Sequence, residues 1–134
     1  MNRAVLFSAQ RDRWATPSDL FAALDAEFGF DFDPCPLNGV GDGLLPLFNE
    51  WAGKRVFCNP PYGPRVGDWI RRGFEADLAV FLLPARTDTR WFHELVLPRA
   101  AEIRFLRGRL RFGGAKSGAP FPSMVVVFRG GRDE

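Results

Sequence analysis

At 134 residues the chain is long enough for one hydrophobic core and too short for two ordinary domains. Apolar residues make up 46% of it, charged residues 25% and aromatics 14%, a balance that excludes a disordered or fibrous chain. The net charge of +2 divides unevenly: residues 1–50 carry 3 basic and 8 acidic side chains, residues 51–134 carry 15 and 8. A basic second part is what a polyanionic partner neutralises, and also what an ordinary solvated face produces.

The two cysteines, Cys35 and Cys58, have no CxxC spacing and His93 is the single histidine, so a four-ligand zinc site is not expected. The N-terminus meets charge before any secretory-length apolar run, and no segment approaches the 18 apolar residues of a membrane helix. A soluble, cytoplasmic protein is expected.

In chain order, "WATPSDLFAALDAEFGF" predicts a helix, with Thr16 as N-cap, Pro17 at the first helical position and Asp19 complementing the dipole. Leu20, Phe21, Leu24 and Phe28 form its apolar stripe and Gly29 its stop. "FDFDP" alternates, which predicts a short strand with Phe30 and Phe32 on one face and Asp31 and Asp33 on the other. "CPLNGVGDG" is turn chemistry, and "LLPLFNEW" fits either element.

"KRVFC" predicts a strand, "GDWIRRGFEA" a helix and the unbroken apolar "LAVFLLP" a strand covered on both faces, which together make a βαβ unit. "TDTRWFHELVL" predicts a helix capped by Thr87 or Asp88. "AEIRFLRGRLRFGG" reads as a hairpin turning at "RGR", and "SMVVVFR" as a closing strand. The inference is an α/β sheet, parallel early and antiparallel at a late edge.

The most specific segment is "VFCNPPYGP". Its prolines fix φ, donate no hydrogen bond and extend the residue before them. Such a loop presents acceptors: the Asn59 side-chain oxygen and the carbonyls of Asn59 and Pro60. Rigid paired acceptors match an amino group, and Tyr62 offers a flat ring on which a planar group stacks. At the carboxyl ends of strands, this loop and "DFDPC" face one site. The bland alternatives are a Pro-rich turn for NPPYG, helix capping for Thr16 and Pro17, and turn initiation for Asp33 and Asp42.

Asn59-Pro60-Pro61-Tyr62 resembles the [DNS]-P-P-[YFW] motif of S-adenosylmethionine-dependent amino-methyltransferases, with adenine-N6 the commonest target of the Asn form. Thr16-Pro17, Asp33-Pro34-Cys35 and Asp42-Gly43-Leu44-Leu45 follow in order, similar to segments that contact the cofactor, and nearly the whole chain resembles the phage and prophage DNA N-6-adenine-methyltransferase family. The resemblance implies a reduced Rossmann-like, class I methyltransferase fold: a three-layer sandwich with a mostly parallel sheet and an antiparallel C-terminal edge. It implies a single domain over 1–134, without a separate target-recognition domain, in a cytoplasmic phage-type protein of a bacterial host.

By the same resemblance, Asn59, Pro60, Pro61 and Tyr62 are catalytic. Thr16, Pro17, Asp33, Pro34, Cys35, Asp42 and Asn59 bind S-adenosylmethionine, and no metal takes part. The substrate is a flipped adenine of double-stranded DNA, with Arg86, Arg90, Trp91, Arg107, Arg109 and Arg111 as DNA contacts. The missing recognition domain leaves DNA contacts to loops or to a second subunit, in a homodimer. Only 25 residues separate Asp33 from Asn59, so the usual ribose-binding acid has no counterpart. Two alternatives stay open: the same chemistry on RNA or a protein glutamine, and a nucleic-acid-binding module whose cofactor pocket has degenerated.

Overall fold

A computed structural model describes residues 14–35 and 50–130. Helix α1, Ser18–Phe28, is followed by strand β1, Arg55–Cys58, helix α2, Val66–Gly73, and strand β2, Leu78–Pro84. A π-helical turn, Phe92–Val96, runs on into the short helix α3, Leu97–Arg99, and strands β3, Glu102–Phe105, and β4, Ser123–Phe128, complete the sheet. Residues 36–49, which include Asp42 and most of "LLPLFNEW", lie outside the described residues.

The strand order is β1-β2-β4-β3. β1 and β2 pair in parallel through the α2 crossover, with Val56 opposite Ala79 and Cys58 opposite Phe81. β4 is antiparallel to both of its neighbours, with Val126 opposite Phe81 on β2 and opposite Ile103 on β3.

The expectation of a mostly parallel sheet with an antiparallel edge is thereby corrected. Among the described strands only one pair is parallel, and the antiparallel strand lies inside the sheet, leaving β3 at the edge. β3 nevertheless runs in the direction of β1 and β2, because β4 reverses the chain between them. All six residues of β4 are buried, and a fully buried strand needs ladder partners on both sides.

All seven residues of β2 are buried, and the first six divide by parity between two apolar clusters. Ala79, Phe81 and Leu83 pack with Trp51, Trp69, Ile70, Phe92 and Val96 on one side. Leu78, Val80 and Leu82 pack with Leu24, Phe28, Phe57, Tyr62 and Phe121 on the other. Helices thus cover both faces: α2 and the π-helical turn on the first, α1 on the second. The apolar "LAVFLLP" is continuous because neither of its faces meets water.

Four local expectations change. α1 begins one residue later, with Pro17 at the cap position (φ −57°, ψ 134°), no side-chain cap and Gly29 left-handed at φ 66° as expected. Thr16 precedes a proline, is held extended, and sends its hydroxyl elsewhere. The "FDFDP" segment forms one parallel bridge, Phe32 to Val56, rather than a strand. The Asp31 carboxylate there takes the Arg55 amide at 2.8 Å, and Phe30 and Phe32 join opposite clusters instead of sharing a face.

At the helix after β2 neither Thr87 nor Asp88 caps the first turn, since Thr89 Oγ1 accepts the Phe92 amide at 3.3 Å. The RGR hairpin does not form, because its first half pairs with β4. The second half lies flat on the α1-side cluster through Leu110 and Phe112, with the Ala119 amide donating to the Leu110 carbonyl at 2.8 Å.

Arg104 on β3 ties the sheet edge to α1. It donates to Glu27 at 2.8 and 2.6 Å and to Glu102 at 2.6 and 3.2 Å. These bonds hold both carboxylates below the ordinary value of 4.5. The two groups therefore favour the fold above that value and cease to as pH falls through their lowered values. Arg104→Met is expected to lessen the loss of thermal stability between about pH 6 and about pH 3. A separate test concerns Gly73, where a Cβ would lie 2.5 Å from Cε1 of the fully buried Phe81 ring. Gly73→Ala is expected to cost about 1–3 kcal/mol in urea unfolding.

Candidate active site

The parallel bridge from Phe32 to Val56 puts two chain segments side by side and in the same direction. Asp33-Pro34-Cys35 therefore leaves the sheet beside Asn59-Pro60-Pro61-Tyr62. The end of β2 adds Arg86 at the same rim. Proximity is also electrostatic: burial pushes the Cys58 thiol well up, and Cys35 and Asp33 reinforce that rise. Asp33 is exposed and its Oδ1 accepts the Cys35 amide at 3.0 Å, a turn-initiating bond at the strand end.

Asn59 is half-buried and fully engaged on its amino side. Its Nδ2 donates to the Trp14 carbonyl and, at 3.0 Å, to Thr16 Oγ1. Its Oδ1 is buried and accepts no hydrogen bond among the described residues. An acceptor in that condition costs free energy in the resting protein and is matched by a donor brought from outside.

Tyr62 is 6% exposed. Its hydroxyl donates to the Leu82 carbonyl at 2.9 Å, so the ring is anchored across to β2. Phe112 and Phe121 meet it edge-to-face, with centroids 6.4 and 5.7 Å away, and Trp14 packs edge-on against both of them at 5.5 Å. The flat ring expected from the sequence is thus enclosed by aromatic side chains and does not stand open for a planar group to stack on. Arg86 lies 5.5 Å over the Phe121 ring, close enough for its charge to oppose the rise in the Tyr62 phenol caused by burial.

The expected DNA contacts separate into two groups. Arg107, Arg109 and Arg111 are exposed while the alternate Leu106, Leu110 and Phe112 pack into the Tyr62 cluster, so the alternation survives without a hairpin. Arg109 Nη1 donates to the Ala119 carbonyl at 3.3 Å, whereas Arg107 and Arg111 make no ion pair among the described residues. Arg90 is paired with Glu94 at 3.1 Å, and Trp91 packs against the cluster on the opposite face of the sheet. Sequence reasoning assigned no role to Trp14, Phe112 or Phe121. The tryptophan two residues before Thr16-Pro17 and the "PFP" around Phe121 were the available signals.

A βαβ unit with polar loops at the carboxyl ends of its parallel strands defines an α/β protein, a class in which those ends are where ligands generally bind. The profile of the family described as DNA N-6-adenine-methyltransferase (Dam) matches residues 3–133. The DNA N-6-adenine-methyltransferase of Haemophilus phage HP1 (strain HP1c1) is 26% identical over 147 residues, covering 96% of this chain and 84% of that protein. The protein of the same description from Escherichia phage T1 is 31% identical over 115 residues, 76% of this chain and 48% of its own length. No solved structure matches. This chain belongs to the DNA N-6-adenine-methyltransferase (Dam) family.

Tyr62 is the one tyrosine of the chain, so its titration is directly visible by ultraviolet absorbance. Burial pushes the phenol well above the ordinary 10.0. The folded protein is stabilised by the neutral phenol below that value and loses this contribution as pH rises beyond it. The phenolate signal is expected to be absent at about pH 10 and to appear together with alkaline unfolding.

Proposed function

We propose that the chain is a DNA adenine-N6 methyltransferase that uses S-adenosylmethionine. We further propose that residues 1–134 act as a single catalytic unit, with DNA held in part by the basic segment after β3. Family membership supports the reaction, and the observation that carries the assignment of Asn59 is its buried, unpartnered Oδ1 at the carboxyl end of β1.

The residues present suit the methyl donor. Asp33 places a carboxylate at the strand end beside Asn59, matched in charge to a cation, and Thr16-Pro17 stands against Asn59 on its other side. S-adenosylmethionine supplies an electrophilic methyl group on a positive sulfonium. Thr16, Pro17, Asp33, Pro34, Cys35 and Asp42 are the residues assigned to hold it, Asp42 on the strength of the resemblance alone.

Asn59 Oδ1 and the Pro60 carbonyl then accept the two N6 hydrogens of a flipped adenine. Holding both hydrogens turns the nitrogen lone pair out of the ring plane and toward the methyl group. Pro60 and Pro61 limit the freedom of the main chain that carries the Pro60 carbonyl, and the Trp14 and Thr16 contacts hold the Asn59 amide. As the methyl passes to the nitrogen its bond to sulfur would break, leaving a neutral thioether, and the surplus proton on the now acidic nitrogen would leave to water. Tyr62 supports the purine after the Phe112 or Phe121 ring swings off it.

The sheet is read as the methyltransferase sheet in reduced form, with β4 reversed between β2 and β3. Arg107 and Arg111, and Arg86 at the rim, are assigned to phosphates. Arg90 and Trp91 are assigned peripheral contacts, given the ion pair of the first and the packing of the second.

Incubation of the protein with unmethylated DNA and labelled S-adenosylmethionine is expected to yield N6-methyladenine by mass spectrometry, and Asn59→Ala to abolish it. Product from Asn59→Ala at the wild-type rate would overturn the mechanism. Replacing Arg107 and Arg111 together by Ala is expected to flatten the plot of log affinity against log salt by about 0.9 per lost phosphate contact.

A further inference from the structure

The amide of Asn59 has two ends, and the reaction needs one of them. Its two N–H groups are both taken, one by the Trp14 carbonyl and one by Thr16 Oγ1 at 3.0 Å. A carbonyl oxygen only accepts. Turned over, the amide would press Oδ1 against the Trp14 oxygen, acceptor against acceptor, and strand Nδ2 where Oδ1 is now buried without a partner. The Trp14 carbonyl thus decides which end of the amide is left without a partner, and the Thr16 hydroxyl, by taking the second hydrogen, fixes the plane.

The segment that supplies these acceptors is itself held in place. The Gly113 amide donates to the Ala15 carbonyl at 2.9 Å, and the Trp14 ring packs edge-on against Phe112 and Phe121. A residue before proline favours an extended conformation, and the Thr16 hydroxyl meets the loop at Asn59 while α1 has no side-chain cap.

The geometry points to a role for Thr16 beyond the cofactor contact that resemblance gives it: it is a positioning residue for the methyl-transfer step, acting through Asn59 together with the main chain of Trp14. This rests on the methyltransferase reading above. An amide with one free bond librates, and its Oδ1 spends less time on the adenine amine. Thr16 therefore governs the turnover of bound substrates in addition to its share in holding the cofactor.

Three variants test this by single-turnover kinetics with DNA and S-adenosylmethionine. Thr16→Val keeps the shape and removes the acceptor, and is expected to lower the transfer rate about 10-fold at saturating DNA and S-adenosylmethionine. Thr16→Ser restores the acceptor and is expected to restore the rate. In an Asn59→Ser background, where there is no amide to orient, Thr16→Val is expected to change the rate by less than about twofold.

The proposal is overturned if Thr16→Val weakens cofactor binding at an unchanged transfer rate, or if its effect is equally large in both backgrounds. The amide itself gives a second readout that does not depend on catalysis. In the 15N spectrum of the wild-type protein, the side-chain pair that disappears in Asn59→Ser is expected to exchange slowly with solvent. Exchange as fast as that of an exposed asparagine would also overturn the proposal. Full activity of Asn59→Ala would sink the methyltransferase mechanism instead, and loss of activity there with a silent Thr16→Val would sink this inference alone.

Discussion

The structure depends on burying β2 on both faces. A seven-residue strand without a polar side chain can hide from water only inside a sheet and between two layers, and its backbone must find ladder partners on each side. β1 satisfies one edge in parallel through α2, and β4 satisfies the other in the opposite direction. From that single demand follow the two apolar clusters, the helices on both faces, and the common rim at which the ends of β1, β2 and the Phe32 segment emerge.

The rim is where residues distant in the chain come together. Asp33, Asn59 and Arg86 are far apart in sequence, yet each follows a segment that runs the same way, so direction alone collects them. The proline pair then stiffens the loop that carries Asn59. Thr16 and Trp14 approach from outside the sheet and complete the environment of Asn59 from α1's leading segment. The enclosure of Tyr62 by Phe112 and Phe121 has the same origin, because the segment after β3 is pulled down onto that cluster by Leu106 and Leu110.

Much of this was legible from local pattern. The β1-loop-α2-β2 unit, the buried closing strand, the Gly29 stop and the asparagine-proline loop each rest on residue types whose conformational or burial preference acts within a few positions. The regions that read wrongly are those where two local solutions were close in energy. "EIRFLRGRLRF" offered a hairpin, and β4 offered its first half a better partner. "FDFDP" offered alternation, and the Asp31 carboxylate took over a ladder position while the two phenylalanines parted to fill both cores.

By itself the sequence determined which segments are apolar on one face or two, where the chain must turn, and that a rigid acceptor loop follows a strand, because each is a property of neighbouring residues. Only the tertiary structure decided that β4 inserts between β2 and β3, that Tyr62 is covered, and that Thr16 meets Asn59 instead of capping its helix. Those outcomes are contacts across 20 to 60 residues of chain, chosen by which surfaces and hydrogen-bonding groups remained unsatisfied once the local elements had formed.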